Sequence, residues 1–254
     1  MMRWVSLAAA AALVSTLAFA SPVRAEEASP PHHKWSFAGP FGTFDRAAAQ
    51  RGYLVYKEVC SVCHSLKLAY YRDLSGIGLS EEQITGTAAS VTVADIGDDG
   101  APIERPALPS DHFRSPFANE LVARAANNGA SPPDLSVIIK ARDGGADYMY
   151  ALLTGFSDPP ASMKIGDGMN YNKYFPGNQI AMVAPLSDGR VTYSDGTTAS
   201  VNQMAEDVTT FLAYISEPET EMRKALGVKI VLFFLLMTGV TYAVKRKIWA
   251  DVDH

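Results

Sequence analysis

Two long apolar runs frame a chain whose interior alternates short amphipathic segments with polar, Gly/Pro-rich connections. The first run, Val5 to Ala20, follows Met1-Met2-Arg3-Trp4 and leads into Ser21-Pro22-Val23-Arg24-Ala25. A short basic start, an apolar stretch and small residues at Val23 and Ala25 spell a secretory signal, with cleavage expected after Ala25. The second run, Ala225 to Val244, carries a single charge, Lys229, in 20 residues. As a helix it is roughly 30 Å long, the thickness of a hydrocarbon core. Lys229, one turn from its start, can snorkel to the headgroups. Lys245-Arg246-Lys247 and the interfacial Trp249 close the span. The expected organisation is a signal peptide (1–25), an exported globular domain (26–221), a juxtamembrane segment with a transmembrane helix (222–244) and a cytoplasmic tail (245–254).

Inside the exported domain, residues 29–44 are rich in Pro, Gly and aromatics and predict an extended arm. Asp45 is an N-cap for a helix over 46–59, in which Gly52 and Tyr56 share a face. Ser200-Val201-Asn202-Gln203 fits a capping box. It opens a helix with Met204, Val208, Phe211, Leu212 and Ile215 at helical spacing, and Pro218 lies just beyond its end. A helix with an interior glycine and one rich in aromatics predict a crossed pair. About 135 residues separate the two, and Gly76-Ile77-Gly78, Gly97-Asp98-Asp99-Gly100 and Asp158-Pro159-Pro160 mark them as loop-rich.

Composition narrows the function classes. Of 254 residues 48% are hydrophobic, which excludes a wholly disordered chain. The overall net charge of −5 conceals a domain from 26 to 221 with 14 basic and 25 acidic residues, net −11. That excludes a general nucleic-acid binder and predicts salt-sensitive docking of a basic partner. Two cysteines exclude a disulfide scaffold and a four-cysteine zinc module.

Both cysteines fall in Cys60-Ser61-Val62-Cys63-His64, a C-x-x-C-H motif that predicts covalent c-type haem attachment. The two thiols form thioethers to the porphyrin vinyls, and His64 follows directly as the proximal iron ligand. A redox dithiol would open a helix, whereas this motif ends one. A zinc site would need a second ligand pair among His32, His33, His112 and His254. For the sixth ligand the residues leave His112, Met149, Met163, Met169, Met182 and Met204 in play. Met182 leads, because it ends Ile180-Ala181-Met182-Val183-Ala184 before Pro185, a braced stretch. Arg124, Lys140 and Arg142 are cations of the kind haem propionates need. The acidic stretch Glu81, Glu82, Asp95, Asp98, Asp99 and Glu104 reads as a solvated loop.

Longer segments carry a resemblance. Arg51-Gly52-Tyr53-Leu54-Val55-Tyr56-Lys57-Glu58-Val59 before the haem motif is one, and Tyr71-Arg72-Asp73-Leu74 another. They continue with 123–130 (Ala-Arg-Ala-Ala-Asn-Asn-Gly-Ala), 132–136 (Pro-Pro-Asp-Leu-Ser), 141–145 (Ala-Arg-Asp-Gly-Gly) and 174–177 (Tyr-Phe-Pro-Gly). With the C-terminal anchor, the chain resembles the cytochrome c1 family, the haem subunits of quinol–cytochrome c reductases. The resemblance implies a mainly α, extended c-type cytochrome fold with long loop insertions and one C-terminal transmembrane helix. It implies one covalent haem c held by Cys60 and Cys63, axial ligands His64 and Met182, propionate contacts at Arg142 and Tyr148, and a pocket wall at Asn127, Pro132 and Pro133. It also implies electron transfer rather than catalysis by this chain alone. The implied partners are cytochrome b, the Rieske iron–sulfur protein and a c-type cytochrome acceptor, in a dimeric complex of the bacterial inner membrane with the haem domain in the periplasm. Many relatives have Pro soon after the methionine, whereas here Val183-Ala184 intervene. The loop disulfide of some bacterial relatives is impossible here.

Overall fold

A computed structural model describes residues 28–251, so the expected signal peptide and the last three residues of the tail lie outside it. The first helix among the described residues, α1 (Arg46–Glu58), begins where expected: the Asp45 carboxylate accepts from the Ala48 N–H at 3.1 Å, ahead of an alanine-rich first turn. The last globular helix, α5 (Val201–Ser216), is capped by Ser200, whose hydroxyl accepts from Gln203 N–H at 3.2 Å. The expected capping box is only half made. The Gln203 amide turns along the helix to donate to Asp207 at 3.1 Å instead of reaching back.

α1 crosses α5 with its glycine at the contact. A Cβ on Gly52 would lie 2.0 Å from the Asp207 carbonyl oxygen and 2.8 Å from Phe211 Cβ, so only a residue without a side chain permits this approach. Beside the crossing, Tyr53 and Tyr56 pack on Phe211 with ring centroids 5.6 and 5.8 Å apart. Arg51 donates to both oxygens of the fully buried Asp207, at 3.0 and 2.9 Å, and to Asp195 at 2.9 Å. Burial pushes the Asp207 carboxyl up, against the opposing pull of Arg51, Tyr193 and Gln203. Met204, Val208, Phe211 and Leu212, the apolar stripe read from the sequence, are all buried here.

The middle is more regular than its loop signals implied. The segment read as a solvated acidic loop contains α2 (Glu81–Ala89) and a hairpin of β1 (Thr92–Ile96) with β2 (Pro102–Pro106). Ser80 and Gln83 form a true capping box at the start of α2. In the hairpin Arg105 joins Asp95 to Asp111. Thus the acidic stretch is largely regular rather than loop, though Glu81, Glu82, Asp98, Asp99 and Glu104 are all exposed and only Asp95 is half-buried. α3 (Glu120–Ala126) and α4 (Gly145–Thr154) follow, and α4 packs against α5. A two-residue antiparallel pair, β3 (Asn170–Tyr171) with β4 (Gln179–Ile180), precedes the final connection.

The arm is extended as expected, and it is tied down at both ends. Asp147, in the first turn of α4, accepts from the His33 N–H at 3.2 Å and the Trp35 indole at 2.6 Å, and its other oxygen bonds His32 Nδ1 at 2.9 Å. At the far end Lys224 donates to the Phe37 and Gly42 carbonyls. That lysine belongs to α6 (Thr220–Ile248), a helix long and apolar enough to cross a membrane, whose apolar window is unburied within the chain. Glu221 at its foot takes a bidentate bond from Arg46, at 2.9 and 2.7 Å, and the Phe44 N–H at 2.7 Å.

Substituting Gly52→Ala forces α1 off α5 and is expected to lower stability by about 1–3 kcal/mol. Gly86→Ala, in α2 with nothing near the added methyl, should raise it by about 0.5–1 kcal/mol. Guanidinium unfolding of the detergent-solubilised holoprotein compares them, and equal midpoints would refute the close crossing.

Candidate haem site

The haem motif closes α1. Val59 caps the helix, Cys60–Val62 form a single 3-10 turn, and the His64 and Cys63 N–H groups both donate to the Cys60 carbonyl, at 2.8 and 3.1 Å. This turn sets the two thiols on one short arc and starts His64 away from the helix. Both cysteines are half-buried. Burial pushes the Cys60 thiol up to about 12, an environment suited to a neutral thioether rather than a thiolate.

The His64 ring is fixed by its other side. Nδ1 lies 2.8 Å from the Pro133 carbonyl oxygen, which can only accept, so Nδ1 carries the proton and Nε2 keeps its lone pair. Burial lowers the imidazole pKa, and the Pro133 bond and the Asp134 charge oppose that only in part. A neutral imidazole with one nitrogen committed to a carbonyl is the form that ligates a metal.

The segment giving that carbonyl is itself sewn to the motif. Asp134 accepts from the Ser65 hydroxyl at 2.7 Å and the Lys67 N–H at 2.8 Å. The Ser136 hydroxyl accepts from Leu68 N–H at 3.0 Å, and Leu135 N–H donates to the Ser65 carbonyl at 2.9 Å. Tyr56 adds a bond to the His64 carbonyl at 3.2 Å. The roles of Asp134 and Ser136 were missed in the sequence. The available signal was an Asp directly after Pro-Pro, whose carboxylate caps the Ser136 N–H in an Asx turn at 2.9 Å.

Met182 sits two residues past β4, half-buried, against the same core that receives Val59 and Cys60. Its approach is shaped by the Tyr-Phe-Pro-Gly turn, where Gly177 adopts φ +75°. A second missed residue holds this turn. Asn172, fully buried, donates to the Leu152 carbonyl of α4 at 2.8 Å and accepts from the Tyr174 and Phe175 N–H groups. An asparagine in a polar loop gives no sequence signal for such burial.

The remaining expected residues separate. Tyr148 is buried on α4. Asn127 ends α3 with its amide on the Ala123 carbonyl, Pro132 is half-buried and Pro133 exposed beside His64. Arg124 is taken by Glu120 and Lys140 by Glu217, whereas Arg142 is exposed with no acidic partner among the described residues. Of the other ligand candidates, Met149 and Met204 are buried core and His112 is exposed, stacked on Tyr70 at 3.9 Å. Two thiols, an imidazole with Nε2 free and a half-buried thioether on one core make a donor set that fits a c-type haem.

Fold and site together define a class, the membrane-anchored protein built around a covalently attached haem. The model of the Cytochrome C1 family matches residues 35–252, and the chain belongs to that family. It is 43% identical to cytochrome c1 of Rhodospirillum rubrum, with 94% of each chain covered. It is 48% identical to the mitochondrial cytochrome c1 haem protein of Saccharomyces cerevisiae, over 87% of this chain and 72% of that one. It is also 46% identical over 97% of its length to cytochrome b/c1 of Bradyrhizobium diazoefficiens, of whose longer chain it spans 39%. Its cofactor is one covalently bound haem c.

The Asp134 carboxyl sits below the usual carboxylate range: burial opposes its ionisation, but bonds from Ser136, Lys67 and Ser65 outweigh that. A depressed folded pKa stabilises above the unfolded value of about 3.9 and is lost as pH falls through the folded one. Asp134→Asn should therefore cost about 1–3 kcal/mol at pH 7. The gap between variant and wild type should narrow as acid is added below about pH 4. Melting of the holoprotein across pH measures both, and a gap that widens in acid would contradict the assignment.

Proposed function

We propose that this chain is the electron-transfer subunit of a quinol–cytochrome c reductase, taking one electron from the Rieske iron–sulfur protein and passing it to a c-type cytochrome. The observation that carries this reading is the His64 ring, whose Nδ1 is held by Pro133 so that Nε2 alone is offered to a metal beside the two cysteines. Bound haem supplies reversible one-electron chemistry at its iron. The protein's own residues do the rest. Cys60 and Cys63 would anchor the ring through thioethers, and His64 and Met182 would be the protein donors to its iron. The thioether raises the potential relative to a second histidine, as acceptance from a Rieske centre requires. Tyr148 and Arg142 meet the propionates, and Asn127, Pro132 and Pro133 line the pocket.

With His64 and Met182 both committed as iron donors, the chain would act as a redox subunit and not as an enzyme by itself. Its partners are cytochrome b, the Rieske protein and an acceptor cytochrome, in a dimeric complex. Residues 1–25 act as a signal peptide, the haem domain stands in the periplasm and α6 crosses the bacterial inner membrane with the C-terminus in the cytoplasm. Export accords with covalent haem attachment, which is made outside the cytoplasm. The domain's net charge of −11 suits a basic acceptor.

Met182→Leu is expected to lower the potential by an appreciable part of the roughly 0.8 V over which axial ligands tune haem. It should also let carbon monoxide bind a reduced protein that otherwise ignores it. Redox titration and difference spectra read both, and an unchanged potential would reassign the ligand. Mild-detergent purification from membranes should bring cytochrome b and an iron–sulfur protein with the chain, and their absence would count against the assembly.

A further inference from the structure

Residues 38–42 read Ala-Gly-Pro-Phe-Gly, a stretch without a polar side chain. They form the tip of a loop closed by the Thr43 N–H, which donates to the Ser36 carbonyl at 3.0 Å. Gly39 turns the chain at φ +71°, and a Cβ on Gly42 would lie 2.0 Å from the Ala38 carbonyl oxygen, so the tip is folded tightly on itself. The base of the loop belongs to the core. Phe37 packs on Phe44 with centroids 5.1 Å apart, and Phe44 meets Tyr214 of α5 edge-on at 5.6 Å. Phe41, at the tip, is left out. It is 81% exposed, and among the described residues no other Phe, Tyr or Trp is exposed outside α6 and the Trp249 that ends it.

A single exposed apolar residue needs no explanation by itself. This one is distinguished by where its loop is fastened. The Lys224 ammonium donates to the Phe37 and Gly42 carbonyls, at 2.6 and 3.1 Å, and so holds both flanks of the tip. Lys224 directly precedes the apolar run that begins at Ala225, and its neighbours Met222 and Leu226 are exposed as well. The loop is therefore pinned to the turn of α6 that leads into the hydrocarbon. Aromatic rings gather at that level of a span. A tip of Ala, Gly, Pro and Phe has no polar side chain to strip of water on entering the headgroup layer, and only the ring's apolar surface to gain.

We propose that the loop 38–42 is a second membrane contact, with the ring of Phe41 seated in the phospholipid interface beside α6. The domain then meets the bilayer at two points, the helix and the loop. This inference rests on α6 crossing the membrane, and the test reads that separately. The photoreactive aromatic p-benzoylphenylalanine replaces Phe41, Phe233 within α6, or Arg190, which is exposed in the turn bonded to the opposite end of α5. Membranes carrying the full-length holoprotein are irradiated, and the chain is weighed for phospholipid adducts. The yield at Phe41 should exceed that at Arg190 by at least about tenfold, with the haem spectrum unchanged. If the chain does not mature with the probe at Phe41, the exposed Pro40 carries it and is judged by the same criterion. Adducts at Phe233 with no excess at Phe41 over Arg190 overturn the loop contact alone. Crosslinks from Phe41 to a protein chain in place of lipid overturn it too, and assign the ring to a subunit interface. No adduct at Phe233 overturns the span, and the contact with it.

Discussion

An imidazole that offers one nitrogen to a metal must give its other nitrogen a partner, and much of this structure is arranged around that requirement. The partner is a backbone carbonyl, Pro133, 2.8 Å from His64 Nδ1. A carbonyl has no protonation state of its own near neutral pH, so the tautomer it selects persists where a carboxylate partner would titrate. It does have to be held still. Asp134, Leu135 and Ser136 do this by bonding to Ser65, Lys67 and Leu68, residues that follow the histidine directly. Ligand and orienting group are thus two sides of one hydrogen-bonded seam, and their spacing is set locally.

The seam needs a foundation, which the helix crossing supplies. Gly52 lets α1 sit on the α5 backbone at Asp207, and the rings of Tyr53, Tyr56 and Phe211 fill the space beside it. Tyr56 serves twice, since its ring packs on Phe211 while its hydroxyl reaches the His64 carbonyl. Core packing and haem-loop geometry are therefore coupled through one side chain. On the other side Asn172 plays a comparable part, tying the turn before Met182 to the α4 helix.

What the sequence discloses follows from how local each signal is. The haem motif, the caps at Asp45 and Ser200, the glycine at the crossing and the apolar span near the C-terminus are all short-range patterns. The helix start, the close contact and the long terminal helix stand where those patterns put them. The middle of the chain is harder to read. α2 carries a capping box at Ser80 and Gln83, yet its acidic surface and the glycine turns nearby drew attention to loop character. Bonds between distant segments leave no periodic trace: Asp147 to the arm and Asn172 to Leu152 each join residues by fold alone. Candidate cations illustrate the same limit. Arg124, Lys140 and Arg142 look alike as letters, and only the fold shows two of them already holding glutamates.

The foot of α6 bears on how the molecule stands. Arg46 grips Glu221 with both arms of its guanidinium, and Lys224 caps carbonyls of the arm, so the anchor grows out of the globular base through a bolted joint instead of a loose hinge. A helix set that way has little freedom to lean or swivel on the domain it carries, so the two move as one body.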